Sequence, residues 1–186
     1  MTGNLWDTEN GAKCCDEINL VEPGFNSGWK EIQGIWKYNK IDGKTAGLAI
    51  NPHNDLVDFS GRGKYSSPEF IWKDTVGPTA LKFLNSDKYG KEYENDLFIG
   101  SSHGRSVYHF DLDHNREELS LDGGLMDRIA DDRGELQRAT FAEGFDFITD
   151  MDVGPDGYLY ILSYQGNRAN IVRIVPSDHS SWLDPD

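Results

Sequence analysis

The residues best suited to chemistry lie in one acidic bend near the start of the chain. Leu5-Trp-Asp-Thr-Glu9 reads as a strand that ends in Asn10-Gly11. An acidic pair, Asp16-Glu17, opens a second strand, and a Gly/Asn-rich turn then closes on Trp29. Carbonyls freed at a glycine turn, with carboxylates beside them, are the oxygen ligands that Ca²⁺ takes. The same residues suit a turn in which Asp16 and Glu17 accept hydrogen bonds from backbone amides. Both readings stand open on chemistry alone. Cys14 and Cys15 are the only cysteines. Neighbours in sequence can close only a vicinal disulfide, so no disulfide framework exists. Two thiols without a clustered histidine are also poor zinc ligands.

Histidine offers the other chemistry. His103 lies in a Ser101-Ser-His-Gly-Arg105 loop, and His109 in an alternating strand beside Tyr108 and Phe110, where a structural role is expected. His53 falls in a loop, His114 in an Asp-His-Asn turn and His179 in the tail. None has a triad-like partner close in sequence, so no catalytic base is assigned within the chain.

The elements that must position these residues are strands. Ala80–Leu84, Asn95–Gly100, Ser106–Leu112, Ile148–Val153, Gly157–Leu162 and Asn170–Val175 are short runs rich in Val, Ile, Tyr and Phe, separated by Gly, Pro, Asn and Asp. Such runs are expected of antiparallel strands. The sets repeat weakly: Asn95-Asp-Leu-Phe-Ile-Gly and Asp156-Gly-Tyr-Leu-Tyr-Ile-Leu are each a turn followed by an apolar strand. A repeated strand–turn–strand unit is the mark of a propeller blade, and blades of roughly 40–45 residues would allow about four. Residues 32–64 read as an insertion, which leaves about three. Residues 124–138 read as a loop with one or two helical turns. The prediction is an all-β fold, a partial β-propeller of about three four-stranded antiparallel blades, over residues 1–176, with a tail at 177–186.

Composition bounds the partners. The 186-residue chain has 37% hydrophobic and 27% charged residues and a net charge of −14, so a nucleic-acid partner, which needs a basic surface, is excluded. No run of roughly 20 apolar residues is present, so no transmembrane helix is expected.

The run LWDTENGAKCCDEINLVEPGFNSGW resembles the signature of the glucose/sorbosone dehydrogenases, soluble quinoproteins that use pyrroloquinoline quinone (PQQ). The resemblance continues through Pro68–Ala80 with its Thr75-Val-Gly-Pro segment, Tyr93–Gly100, and Val153-Gly-Pro-Asp-Gly-Tyr-Leu-Tyr160 to Arg173-Ile-Val-Pro176. It implies the C-terminal part of a six-bladed propeller. It also implies that the carbonyls of Gly11 and Ala12 bind a Ca²⁺ that grips the quinone, with Ala12 where the family usually has proline. Asn10, Asp16 and Thr75 match positions near the quinone, and His103 or Arg105 stands where the family has a cation. Glu17 and the carbonyl of Ser27 match a second, structural calcium site.

The implied activity is sugar oxidation at a CH–OH group by hydride transfer to PQQ, with calcium assistance. The implied substrate is a small sugar, the implied onward partner an electron-acceptor protein, and the implied location extracellular or periplasmic. The family's catalytic histidine lies upstream of the Leu-Trp-Asp strand, and Phe147-Ile-Thr149 stands where characterised members have an Arg-x-Arg pair. A fragment inactive alone is therefore expected, from an internal start or a fragmentary gene, with exposed edges that favour self-association or poor folding. The alternative is a non-catalytic calcium-binding propeller module.

Overall fold

The computed structural model describes residues 3–39, 41–48, 56 and 60–177. The expectations for His53, His179 and most of the tail lie outside the described residues. Three sheets carry the fold. The first, in order β1-β2-β8-β12, joins Leu5–Glu9, Asp16–Val21, Phe70–Trp72 and Ile129–Ala130. Its outer pair, β8 with β12, is parallel, because β12 arrives from a distant part of the chain. The second sheet, β13-β11-β10-β9, joins Thr140–Glu143, Ser106–Phe110, Leu97–Ser101 and Pro78–Phe83, all antiparallel. The third, β14-β15-β16, joins Phe147–Val153, Leu159–Gln165 and Arg168–Arg173. This is the predicted partial propeller.

The 32–64 stretch, read as an insertion, builds a small sheet of its own from β4 (Ile32–Gln33), β5 (Trp36–Asn39) and β6 (Lys44–Leu48). Short β3 (Phe25–Asn26) pairs with β7 (Lys64–Tyr65), which brings the two ends of that stretch together. In the 124–138 stretch, a 3₁₀ turn at Gly123–Asp127 precedes β12, and one helix, α1 (Arg133–Ala139), follows. Asp132 caps α1 by accepting hydrogen bonds from the amides of Gly134 and Glu135.

Two apolar layers separate the three sheets. Trp6, Ile18, Phe70, Trp72, Leu97, Ile99, Tyr108 and Phe110 fill the space between the first and second sheets. The rings of Phe70, Trp72 and Phe110 meet edge to face at 4.7–5.9 Å. Such pairs add to simple burial. Leu84, Phe98, Val107, Ile148, Met151, Leu159 and Ile161 fill the layer between the second and third sheets. The second sheet is thus covered on both faces, and every residue of β10 is buried. The third sheet is covered on one. Leu162 and Ile171, paired directly across β15 and β16, are exposed on its outer face together with Tyr164. No described helix is long and apolar enough to cross a membrane.

Candidate functional site

The bend between β1 and β2 is built around one carboxylate. Asp16 is fully buried, and its two oxygens accept three backbone hydrogen bonds: Gly11 N at 2.8 Å on Oδ1, and Val76 N and Gly77 N at 2.7 Å each on Oδ2. Three amides, two of them buried, thus find their acceptor in one carboxylate, a charge-assisted arrangement stronger than neutral pairing. Burial pushes the Asp16 pKa up, while these amides and the nearby His103 pull it down. Asn10 Nδ2 donates to the Pro78 carbonyl at 3.0 Å, and Cys15 N to the Lys73 carbonyl at 3.2 Å. The Asn10–Gly11 turn is thereby clasped to the 73–78 loop that leads into β9. A side chain at Gly11 would run into the Cys14 carbonyl, so this tight turn needs glycine. Cys14 and Cys15 are joined as a vicinal disulfide within it.

Asp16 and Glu17 are adjacent on a strand, so their side chains leave opposite faces. Glu17 turns toward the inserted sheet, where Oε1 accepts Gly34 N at 2.6 Å and Oε2 accepts Asn19 Nδ2 at 3.3 Å. Burial pushes its pKa up to about 8, and the carboxylates of Glu9 and Asp16 add to that. Glu9 is raised for the same leading reason and holds the Ser27 side chain by a hydrogen bond. Gln33 is only 2% exposed, yet both its amide oxygen and its amide nitrogen lack a partner, as does Asn19 Oδ1. Glu9, Glu17 and Gln33 line one small void of about 10 Å³, closed by Trp29 and Ile32. A volume near one probe sphere suits a single small guest. Oxygen-rich, acidic and short of a partner, this void has the donor set of a hard cation.

Of the residues singled out from sequence, the fold brings Asn10, Gly11 and Asp16 to the 75–78 loop; Glu17 lines the small void, which Asn10 and Gly11 also border, and Ser27 is held by Glu9. Ala12 stays on the exposed outside of the bend. Thr75 and His103 face elsewhere: they line a cavity of about 490 Å³ with Trp72, Tyr108 and the loop that carries α1. His103 N donates to the Val76 carbonyl at 2.9 Å, and a side chain at Gly77 would strike the imidazole. Neither Asn10 nor Asp16 lines that cavity. Its acidic lining is Asp74, Asp131, Asp132 and Glu143, against the basic Arg133. Arg105 is seated over the Phe147 ring at 4.8 Å.

Glu9 and Gln33 were not legible as site residues. Glu9 looked like one more polar position in a strand, and Gln33 fell in a stretch read as an insertion. The expected structural role of His109 does hold a surprise, since Asp96 and Asp111 converge on it in space. The spacing of His109 and Asp111, two apart at the end of an alternating run, was the signal available. His114 lies in the exposed turn beside Asp113.

A family profile described as Glucose / Sorbosone dehydrogenase matches residues 1–173. The chain is similar to an aldose sugar dehydrogenase of Escherichia coli, 30% identical over 172 residues that make up 92% of this chain and 38% of that protein. It is similar to an uncharacterised protein of Synechocystis, 28% identical over 90% of this chain and 33% of that protein. Among solved structures, the apo soluble aldose sugar dehydrogenase of Escherichia coli superposes with a TM-score of 0.58 at 25% identity, over 94% of this chain and 42% of that one. The PQQ-bound aldose sugar dehydrogenase of Streptomyces coelicolor shares the fold, with a TM-score of 0.53 at 16% identity over 91% of this chain and 39% of that one. The chain spans between one third and two fifths of the length of the curated relatives it matches.

Proposed function

The chain belongs to the glucose/sorbosone dehydrogenase family, and on that premise we propose that it forms the calcium-binding part of a quinoprotein sugar dehydrogenase-like propeller, inactive by itself. The observation that carries the reading is the Asp16 clasp, which fixes the Asn10–Gly11 turn against the Thr75–Gly77 loop. Those are the segments that the family resemblance assigns to cofactor binding.

Calcium fits the residues present. Glu17, Glu9 and the unpartnered Gln33 oxygen would hold one ion, with Ser27 beside them. The carbonyls of Gly11 and Ala12, which accept no hydrogen bond from a described residue, would hold another. A bound Ca²⁺ supplies positive charge and Lewis acidity. This chain contributes rigid carbonyls and carboxylates, and the Asp16 anchor keeps the turn from relaxing.

The quinone fits less well. PQQ is a tricarboxylate, while the cavity beside Thr75 and His103 carries four carboxylates against one guanidinium. Arg105 is held over Phe147, the first residue of the segment that stands where the family's arginine pair would be. We derive no step through the quinone from these residues. In the assembled enzyme, oxidation of a small sugar at CH–OH, the cations for the cofactor and the catalytic base would come from the rest of a family propeller, in a periplasmic or extracellular setting with an electron-acceptor protein. The acid-rich cavity also favours a second reading, a non-catalytic calcium-binding propeller module.

The test is a thermal melt of chelator-treated protein with and without Ca²⁺. Saturating Ca²⁺ should raise Tm by on the order of 5 °C, and Glu17→Gln should abolish most of that rise. An unchanged Tm would end the calcium reading. Aldose-dependent dye reduction with added PQQ, once the rest of the propeller is supplied, would favour the enzyme; calcium binding without quinone uptake would favour the module.

A further inference from the structure

The second sheet carries a side-chain cluster that the calcium and quinone readings leave unused. Strands β10 and β11 are antiparallel with Leu97 opposite Phe110, so Asp96 and Asp111 stand side by side at one end of the hairpin. His109, opposite Phe98, is the next-to-last residue of β11, and Asp111 follows directly after the strand's end. Its Nε2 is 3.0 Å from Asp96 Oδ2 and 3.4 Å from Asp111 Oδ1.

We infer that Asp96, His109 and Asp111 form a binding site for a divalent transition-metal ion of the zinc class. Three observations converge. The first is spacing: a tetrahedral ion with bonds of about 2.0–2.1 Å keeps its ligand atoms roughly 3.3 Å apart. One ligand atom from each of the three residues already lies within 4.8 Å of the others, and both imidazole–carboxylate separations bracket that value. The second is charge. Among the described residues, neither Asp96 nor Asp111 is paired with a lysine or arginine, and both carboxylates converge on one imidazole. Two carboxylates gathered at one imidazole favour a cation between them. The third is orientation. The rings of Tyr93 and Phe98 pack against the imidazole with centroids at 4.9 Å, and Phe141 at 6.3 Å, which hold Nε2 toward the carboxylates. Asp96 is fixed in turn by its own backbone, which bonds Leu84 and Tyr93.

The imidazole sets the metal class. Calcium and magnesium take oxygen ligands, whereas a nitrogen donor beside two carboxylates suits Zn²⁺ and its neighbours. Three protein ligands leave one tetrahedral position for water, and the ion would clasp the entry of β10 to the exit of β11.

Isothermal titration of chelator-treated chain with Zn²⁺ tests this. One ion should bind per chain, and millimolar Ca²⁺ should not displace it. His109→Gln and Asp111→Asn should each weaken binding by roughly tenfold or more. The Asp111 side chain is 58% exposed, so Asp111→Asn leaves the packing in place even if the histidine variant misfolds. Asp131→Asn, in the separate exposed group Asp131, Asp132 and Glu135, should leave the affinity unchanged. No uptake, uptake by His109→Gln and Asp111→Asn as tight as by the unmodified chain, or displacement by Ca²⁺ would each overturn the assignment. Glu17→Gln reads the calcium void and not this cluster, so the two conclusions fail separately.

Discussion

Strands β10 and β15 come from repeat-related sequence, yet they live in different surroundings. The runs Asn95-Asp-Leu-Phe-Ile-Gly and Asp156-Gly-Tyr-Leu-Tyr-Ile-Leu share a turn followed by an apolar strand. Every residue of β10 is buried, because one apolar layer covers its Leu97 and Ile99 face and another covers Phe98. In β15 only Leu159, Ile161 and Ser163 are buried, and Leu162 and Tyr164 look outward. The difference teaches that a blade's hydrophobicity does not set its burial; the presence of a neighbouring sheet on the second face does. An outer face carrying Leu162, Tyr164 and Ile171 is larger than scattered surface apolar residues require.

The contrast can be broken by mutation. Phe98→Ala opens a cavity in a layer where the ring also meets Tyr93, Phe141 and His109. Its expected cost is about 5 kcal/mol in chemical denaturation, at the upper end for such truncations. A cost near that of an exposed residue would mean that the second layer is not closed.

Charge sharpens the same contrast. Asp152 and Asp156, on and beside the third sheet, are held below the usual carboxylate range: Asp152 mainly by Lys82, and Asp156, despite the opposing effect of its surroundings, by Tyr160 and Arg173. Glu17, in the packed first sheet, is pushed up to about 8. A raised carboxylate binds more protons in the folded state than in the unfolded one. Its contribution to stability is therefore full below about pH 4.5 and lost as pH rises toward 8. In chelator, stability should fall across that window by on the order of 3–4 kcal/mol, and saturating Ca²⁺ should flatten the fall. A flat profile in chelator would show that Glu17 ionises freely.

The smallest effect is expected on the open face. Leu162→Ala and Ile171→Ala should each cost less than about 1 kcal/mol, although the inward neighbour Ile161→Ala should cost roughly 2–4. Equal costs for Ile161 and Ile171 would show that something covers the outer face in solution.

Much of the fold was legible. Strand positions followed from alternation and turn residues, and β1, β9, β10, β11, β14, β15 and β16 fall within a few residues of the expected runs. The acidic bend was legible too, but its two carboxylates were not separable. Asp16 proved to be an amide anchor, and Glu17 a buried acid that also accepts one backbone amide, on the other side of the strand. That division depends on which element faces each side of β2, and no spacing in the sequence carries it. The Asp96–His109 contact, across a hairpin, was equally hidden.

By itself the sequence determined the local things: short strands, their turns, the glycine that a tight bend demands, and the family signature that runs through 1–173. Only the tertiary structure decided which polar groups share a surrounding. Burial and the field of neighbouring charges are sums over atoms distant in the chain. That is why Gln33 could be found without a partner, and two acids and an imidazole with their particular neighbours, only once the sheets were stacked.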